Sequence, residues 1–237
     1  MSKPIQPSSA SLLAWTALVS VALGLAPPGS AVAELPVGGE VNPTLMLPRL
    51  TVGAESGVGG RVGYAGRGTI RESSEALLPT FGLTVRMEKP LLEHFSLGGR
   101  LATAWWTSRT LIRGEVQRSS MTDLGPTLKI RFPFASTGGS GEVYIMGMGG
   151  VTMQLLDPDI GANRPFGIGW HAGGSTGAQY FFNRHYGVYG EVGWMYHQSY
   201  HIDSRQIERV DIHQGRISIG LAILFGTVRK PGEFPQR

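Results

Sequence analysis

From residue 42 onward, apolar and polar residues alternate with period two over stretches of about ten residues, and clusters of Gly, Asn, Asp and Pro separate the stretches. Between Asp211 and Phe225 one parity reads His213, Gly215, Ile217, Ile219, Leu221, Ile223, Phe225, and the other reads Gln214, Arg216, Ser218, Gly220, Ala222, Leu224. One face is greasy, the other polar and small. Tyr186 to Tyr196 behaves alike, with Tyr186, Val188, Val192, Trp194 and Tyr196 opposite Gly187, Tyr189, Glu191, Gly193 and Met195. In Leu124 to Phe132 large apolar residues alternate with Gly125, Thr127, Lys129 and Arg131, and in Phe95 to Trp106 the parity of Phe95, Leu97, Leu101, Thr103 and Trp105 opposes Ser96, Gly98, Arg100, Ala102, Ala104 and Trp106.

The pattern predicts eight strands, near 43 to 54, 77 to 88, 94 to 107, 122 to 133, 142 to 155, 166 to 182, 185 to 200 and 209 to 226. In the first, Leu45, Met46, Leu47 and Pro48 do not alternate, and proline suits only an edge or a strand start, so a register change is expected there. Short connections fall at Glu88 to Glu93, Phe134 to Gly141 and Asn183 to His185. Longer ones fall at Glu55 to Ala76, Ser108 to Met121, Asp157 to Arg164 and His201 to Glu208.

A two-sheet soluble sandwich also alternates. Three features favour a closed antiparallel transmembrane β-barrel instead. The polar parity is rich in Gly, Ala, Ser and Thr with isolated charges, which suits a narrow filled lumen. Aromatics gather at strand ends: Phe95 and Trp105, then Tyr180, Phe182, Tyr186, Trp194, Tyr196 and Tyr200. Connections alternate between short and long. An even strand number sets both ends of the chain on one side, the side of the short turns.

Composition narrows the classes. With no cysteine among 237 residues, disulfides, thiol catalysis and zinc-thiolate sites are excluded. The net charge of +4 comes from 21 basic and 17 acidic residues scattered singly, so nucleic-acid binding has no support. The first 33 residues hold one cation, Lys3, an apolar run from Leu12 to Ala26 and a small-residue ending, Gly29-Ser-Ala-Val-Ala33. That is the layout of a secretory signal peptide, cut after Ala33 with Ala31 in the other small-residue position. The chain then divides into a signal peptide (1–33), a lead (34–41), the barrel (42–226) and a tail (227–237).

Over residues 40 to 226 the chain resembles the small bacterial outer-membrane barrels, the group of OmpX, OmpW and the membrane part of OmpA. The last strand carries the most specific likeness. Ser218, Gly220, Ile223 and Phe225 are similar to the signal by which such proteins are recognised for insertion. The hairpin Tyr180 to Glu191 is also typical. The resemblance implies an outer-membrane location with both termini periplasmic, a monomer, and contact with the barrel-insertion machinery, membrane lipid and lipopolysaccharide. Residues 226 to 237 are too short for a peptidoglycan-binding domain, so no such role is carried over.

Eight-stranded barrels have interiors just wide enough for side chains or one small ligand. Inward-parity charges are Arg86, Glu88, Arg100, Lys129, Arg131, Glu142, Glu191 and Arg216. Their mixed signs predict a plug of ion pairs, since a lone charge in such an interior is costly. The alternative is a charged constriction in a pore, where the excess of cations favours anions. The Gly-rich stretch from Gly53 to Gly68 lacks the Lys-Ser/Thr of a phosphate loop and is expected to be an outer loop. Its Arg61, Arg67 and Arg71, like Arg109, Arg113 and Arg118 in the next, are expected to be solvated loop cations, with paired hydrogen bonds to lipopolysaccharide phosphates as the alternative.

One constellation points toward catalysis: His197-Gln-Ser199, followed by Asp203, Glu208 and Asp211. It is similar to the His-x-Ser of outer-membrane lipid A deacylases, but Tyr200 stands where that family has Asn. Parity also turns His197 and Ser199 toward the lumen. No catalytic, cofactor or metal residues are therefore assigned. The leading reading is a non-enzymatic outer-membrane barrel, structural or passing small solutes. A lipid A-modifying enzyme and a sealed adhesion barrel are the alternatives.

Overall fold

The computed structural model describes residues 43–66, 73–77, 79–109, 116–136, 139–157, 166–183, 185–202 and 207–225. A short 3-10 turn, Pro43–Met46, leads into β1 (Arg49–Gly66), followed by β2 (Ser73–Ala76), β3 (Thr80–Leu92), β4 (Phe95–Arg109), β5 (Val116–Ser136), β6 (Gly139–Asp157), β7 (Phe166–Phe181), β8 (Tyr186–His201) and β9 (Ile207–Leu224). Each long strand pairs antiparallel with its neighbour, and β9 returns to pair with β1 from Arg49↔Leu224 to Gly66↔Ile207. Eight long strands thus close into a ring. The four-residue β2 extends the sheet beside the far end of β1. Closure leaves no edge along the barrel wall, so backbone groups are satisfied between strands, as a membrane requires.

The alternation sorts side chains as the pleat dictates. Along β3 every second residue from Thr80 to Glu88 is buried and the residues between are exposed. The exposed set is apolar: Phe81, Leu83, Val85 and Met87 on β3, and Ile219 and Leu221 on β9, with Phe81 at 68% and Ile219 at 64%. A continuous apolar outer wall of this size is unlike the scattered apolar surface of a soluble monomer.

The structure corrects several boundaries. The expected first strand at 43 to 54 is a 3-10 turn followed by a strand that continues to Gly66, so most of the loop expected from Glu55 to Ala76 is strand. The register of β1 against β9 shifts between Val58 and Gly60, and Gly59 sits at φ 58, a conformation that favours glycine. This bulge swaps the inward parity from Thr51 and Glu55 to Val62 and Tyr64, which hides the strand from a period-two reading. Arg61 consequently lies on β1 and faces outward. The loop expected at 108 to 121 also shrinks: β4 runs to Arg109 and β5 begins at Val116. Gln117 to Ser120 is polar at both parities yet pairs with β4.

Tyrosines seal the ring where glycine leaves room. The Tyr189 ring lies over two neighbouring strands. A Cβ on Gly53 would strike its hydroxyl, and one on Gly220 would come 2.8 Å from Cε1. Because Tyr189 pairs with Gly220, and Gly220 with Gly53, one aromatic ring spans the seam where β9 meets β1. Tyr144 lies over Gly177 in the same way, 2.8 Å from where its Cβ would stand.

Candidate functional site

The inward residues form three tiers. At the end carrying the short turns, Leu45 of the 3-10 turn packs with Phe181, Ala222 and Leu224 across the barrel mouth. At the opposite end Val62, Tyr64, Trp106, Met121, Val210 and Ile212 form an apolar cluster. Between them lies a column of charge.

The column begins at Arg49, whose Nη1 is 2.8 Å from Glu142, while its Nη2 donates to the Leu45 carbonyl at 2.7 Å. Arg131 repeats that division, donating to Glu142 at 3.2 Å and to the Leu45 carbonyl at 2.6 Å. The two arginines therefore tie the 3-10 turn into the mouth. Lys129 lies 3.4 Å from Glu142 and 2.5 Å from Glu88, with its Nζ 4.0 Å from the centre of the Tyr144 ring. Arg86 bonds Glu88 and, at 2.7 Å, Glu191. Glu191 also accepts from Tyr144 at 3.0 Å and pairs with Arg216. Arg216 leads to Glu55 at 3.5 Å, Glu55 to Arg100 at 2.7 Å, and Arg100 to Asp123 at 3.6 Å. Asp123 ends the column, 2.9 Å from His197 Nε2 and accepting from Thr152 at 2.7 Å, with His171 Nδ1 at 3.7 Å.

All eight lumen charges expected from the parity are brought together, and each is buried. Arg49, Glu55, Asp123 and His171 join them. Arg49 lay in the stretch without clear alternation and Glu55 in the expected loop. Asp123 preceded the Leu124 at which the alternating run was read, although it shares the parity of Lys129 and Arg131. With these additions six cations face five carboxylates among the described residues, so the cation excess that favoured an anion path shrinks to one. Each carboxylate touches at least two donors, the condition under which buried charge is tolerated.

The remaining expected residues separate. Ser218 points inward and is buried, and Gly220 lies under Tyr189. Ile223 pairs with Leu50 and Tyr186, and the Phe225 N–H donates to the Pro48 carbonyl at 2.8 Å beside an exposed ring. Arg109 and Arg118 fall on β4 and β5 rather than in a loop. Ala31, Ala33, Arg67, Arg71, Arg113 and Asp203 lie outside the described residues. His197 and Ser199 do face the lumen, but toward different partners: His197 toward Asp123, and Ser199 donating to Gln154 at 2.6 Å with His201 Nε2 at 3.2 Å. Asp211, a candidate acid for that pair, faces outward on β9 and accepts from Tyr196, Gln198 and Arg209. The pattern that resembles a deacylase is therefore taken apart by the pleat.

No family model and no curated protein matches the sequence. Among solved structures the chain is similar to Neisserial surface protein A, at 11% identity and a TM-score of 0.48, covering 74% of this chain and 97% of that one. It is also similar to the outer membrane protein OprG from Pseudomonas aeruginosa, at 14% identity and a TM-score of 0.49, covering 76% and 96%. A third is Ail, the attachment invasion locus protein of Yersinia pestis, at 9% identity and a TM-score of 0.40, covering 75% and 99%.

Proposed function

We propose that the chain is an integral outer-membrane β-barrel with a closed lumen, whose work is done by its outer wall and outward loops in surface interaction. The observation that carries this is the column from Arg49 to Asp123, capped by apolar clusters at both ends, which fills the interior with mutually paired side chains. A path for ions through it would require separating these buried pairs, and a buried charge parted from its partner is costly.

The apolar wall supports the membrane placement. On β9 the outward residues from Gly215 to Phe225 are apolar, and those from Arg209 to His213 are polar. About ten residues at a rise of roughly 3.3 Å, tilted about 40°, give about 25 Å, the height of a barrel's apolar band. The turn at Pro43–Met46 and the end of β9 meet at the mouth opposite the polar strand ends, so an outward-facing loop set leaves both termini in the periplasm.

The absence of native cysteine makes the sidedness directly testable. Ile202→Cys, beyond β8, should react with a membrane-impermeant maleimide added to intact cells. Glu93→Cys, in the β3–β4 turn, should react only after the outer membrane is permeabilised. Equal labelling of the two, or the reverse order, contradicts the placement.

A further inference from the structure

The two halves of the lumen are built from different chemistry. From Arg49 to Arg216 the column pairs arginine and lysine with carboxylates. The buried histidines of the described residues, His171, His197 and His201, all stand beyond it, away from the mouth that Leu45 caps. His171 on β7 and His197 on β8 are cross-strand neighbours with ring centres 5.9 Å apart, and both turn toward the Asp123 carboxylate. His197 Nε2 is 2.9 Å from one oxygen and His171 Nδ1 is 3.7 Å from the other, to which Thr152 also donates at 2.7 Å.

An ionised carboxylate only accepts, so the His197 proton sits on Nε2 and the lone pair on Nδ1. That Nδ1 is buried and has no hydrogen-bond partner. Acid therefore adds a proton at an atom with no acceptor to receive it, and a donor left buried and unpaired is costly. Charge opposes the second proton as well. Arg100, on β4, is already 3.6 Å from Asp123 and shared with Glu55 of β1. One imidazolium beside Asp123 is compensated. A second faces the first, and Arg100, with no further carboxylate at hand. Among the described residues the other inward side chains near the pair do not ionise in acid: Thr84 on β3, Thr152 and Gln154 on β6, Ile212 and Gln214 on β9. Tyr64 of β1 carries no charge in acid, and His201, farther along β8 against Ser199, would only add a positive one.

We infer that His171 and His197 form an acid latch on the outer half of the plug. With the pair carrying at most one proton, the two rings and Asp123 tie β7 and β8 to β5 across the lumen. A proton on each ring drives the rings apart, and the outer half loosens and uncovers Gln154 and Ser199. The column from Arg49 to Arg216 holds no histidine and keeps the barrel shut beneath it. Imidazole is the side chain whose ordinary titration falls in mild acid, which sets the range in which the latch works. The inference rests on the closed lumen proposed above.

The lack of native cysteine supplies the probe. Ser199→Cys reports the outer half, and Ser175→Cys, buried on β7 beside Met146 of the column, reports the inner half. The chain is folded in detergent micelles and reacted with a small pyridyl disulfide, which couples to thiols in acid as well as at neutral pH. Between about pH 7.5 and about pH 5 the Ser199→Cys thiol should gain reactivity by about tenfold or more, and the Ser175→Cys thiol should stay protected at both. Adding His171→Gln or His197→Gln, either of which leaves a single imidazole on Asp123, should keep the Ser199→Cys thiol protected at about pH 5. Adding His94→Gln with His185→Gln, both exposed at the opposite end, should leave the acid response intact. A Ser199→Cys thiol that stays protected in acid, or that still opens in both glutamine variants, overturns the latch. Reaction of Ser175→Cys in acid alone shows the whole plug loosening together and also overturns it. Reaction of Ser175→Cys already at neutral pH sinks the closed lumen itself.

Discussion

Glu142 is the most heavily engaged carboxylate of the lumen, facing Arg49, Lys129 and Arg131. Replacing it by glutamine takes from Arg49 and Arg131 the carboxylate they contact and leaves Lys129 to Glu88 alone, and truncating one partner of a buried pair costs about 3–5 kcal/mol. Glu142→Gln should therefore lower the unfolding free energy by that order, measured by urea denaturation in micelles. Glu93, half exposed in the β3–β4 turn beside His94, provides the contrast. Glu93→Gln should shift the same curve by less than about 1 kcal/mol, because exposed pairs contribute little. At this scale parity made lumen charges legible wherever a strand kept one register. It failed at Glu55, which looked like loop, and at Arg49, where Pro48 interrupts the pattern. The reach of Arg49 and Arg131 back to the Leu45 carbonyl has no signature in spacing, since it depends on the turn folding into the mouth.

Elements with uninterrupted alternation were legible almost to the residue. The expected strand at 166 to 182 is Phe166–Phe181, and that at 185 to 200 is Tyr186–His201. β1 was not, because its bulge at Gly59 moves the inward set from odd to even positions and its glycines read as loop. The same element explains the seam. Gly220 and Gly53 leave the space that Tyr189 fills, so Gly220→Val should destabilise the barrel by about 1–3 kcal/mol through overpacking. Gly190→Val, at an outward position with open space, should be nearly neutral in the same urea titration. If the two variants unfold alike, the tyrosine is not what holds β9 to β1. The long polar ends of β4 and β5 escaped notice for another reason. Segments such as Gln117 to Ser120 form strand by pairing with a neighbour, and pairing leaves no trace in composition.

For the whole molecule, the ring of eight long strands, the apolar exterior and the ion-paired interior support one another: closure satisfies the backbone, the exterior suits lipid, and the lumen charges face opposite charges. A chain built this way should stay folded in cold SDS and migrate faster unboiled than boiled. Architecture of this kind is common to barrels with different tasks, which is why the wall was legible in the sequence while the task was not. The central claim is that the column from Arg49 to Asp123 closes the lumen, and current through planar bilayers tests it most directly. Purified wild-type chain should insert without producing discrete conductance steps. Reproducible stepwise currents, above all anion-selective ones, would show that ions pass where the structure holds six cations and five carboxylates in contact.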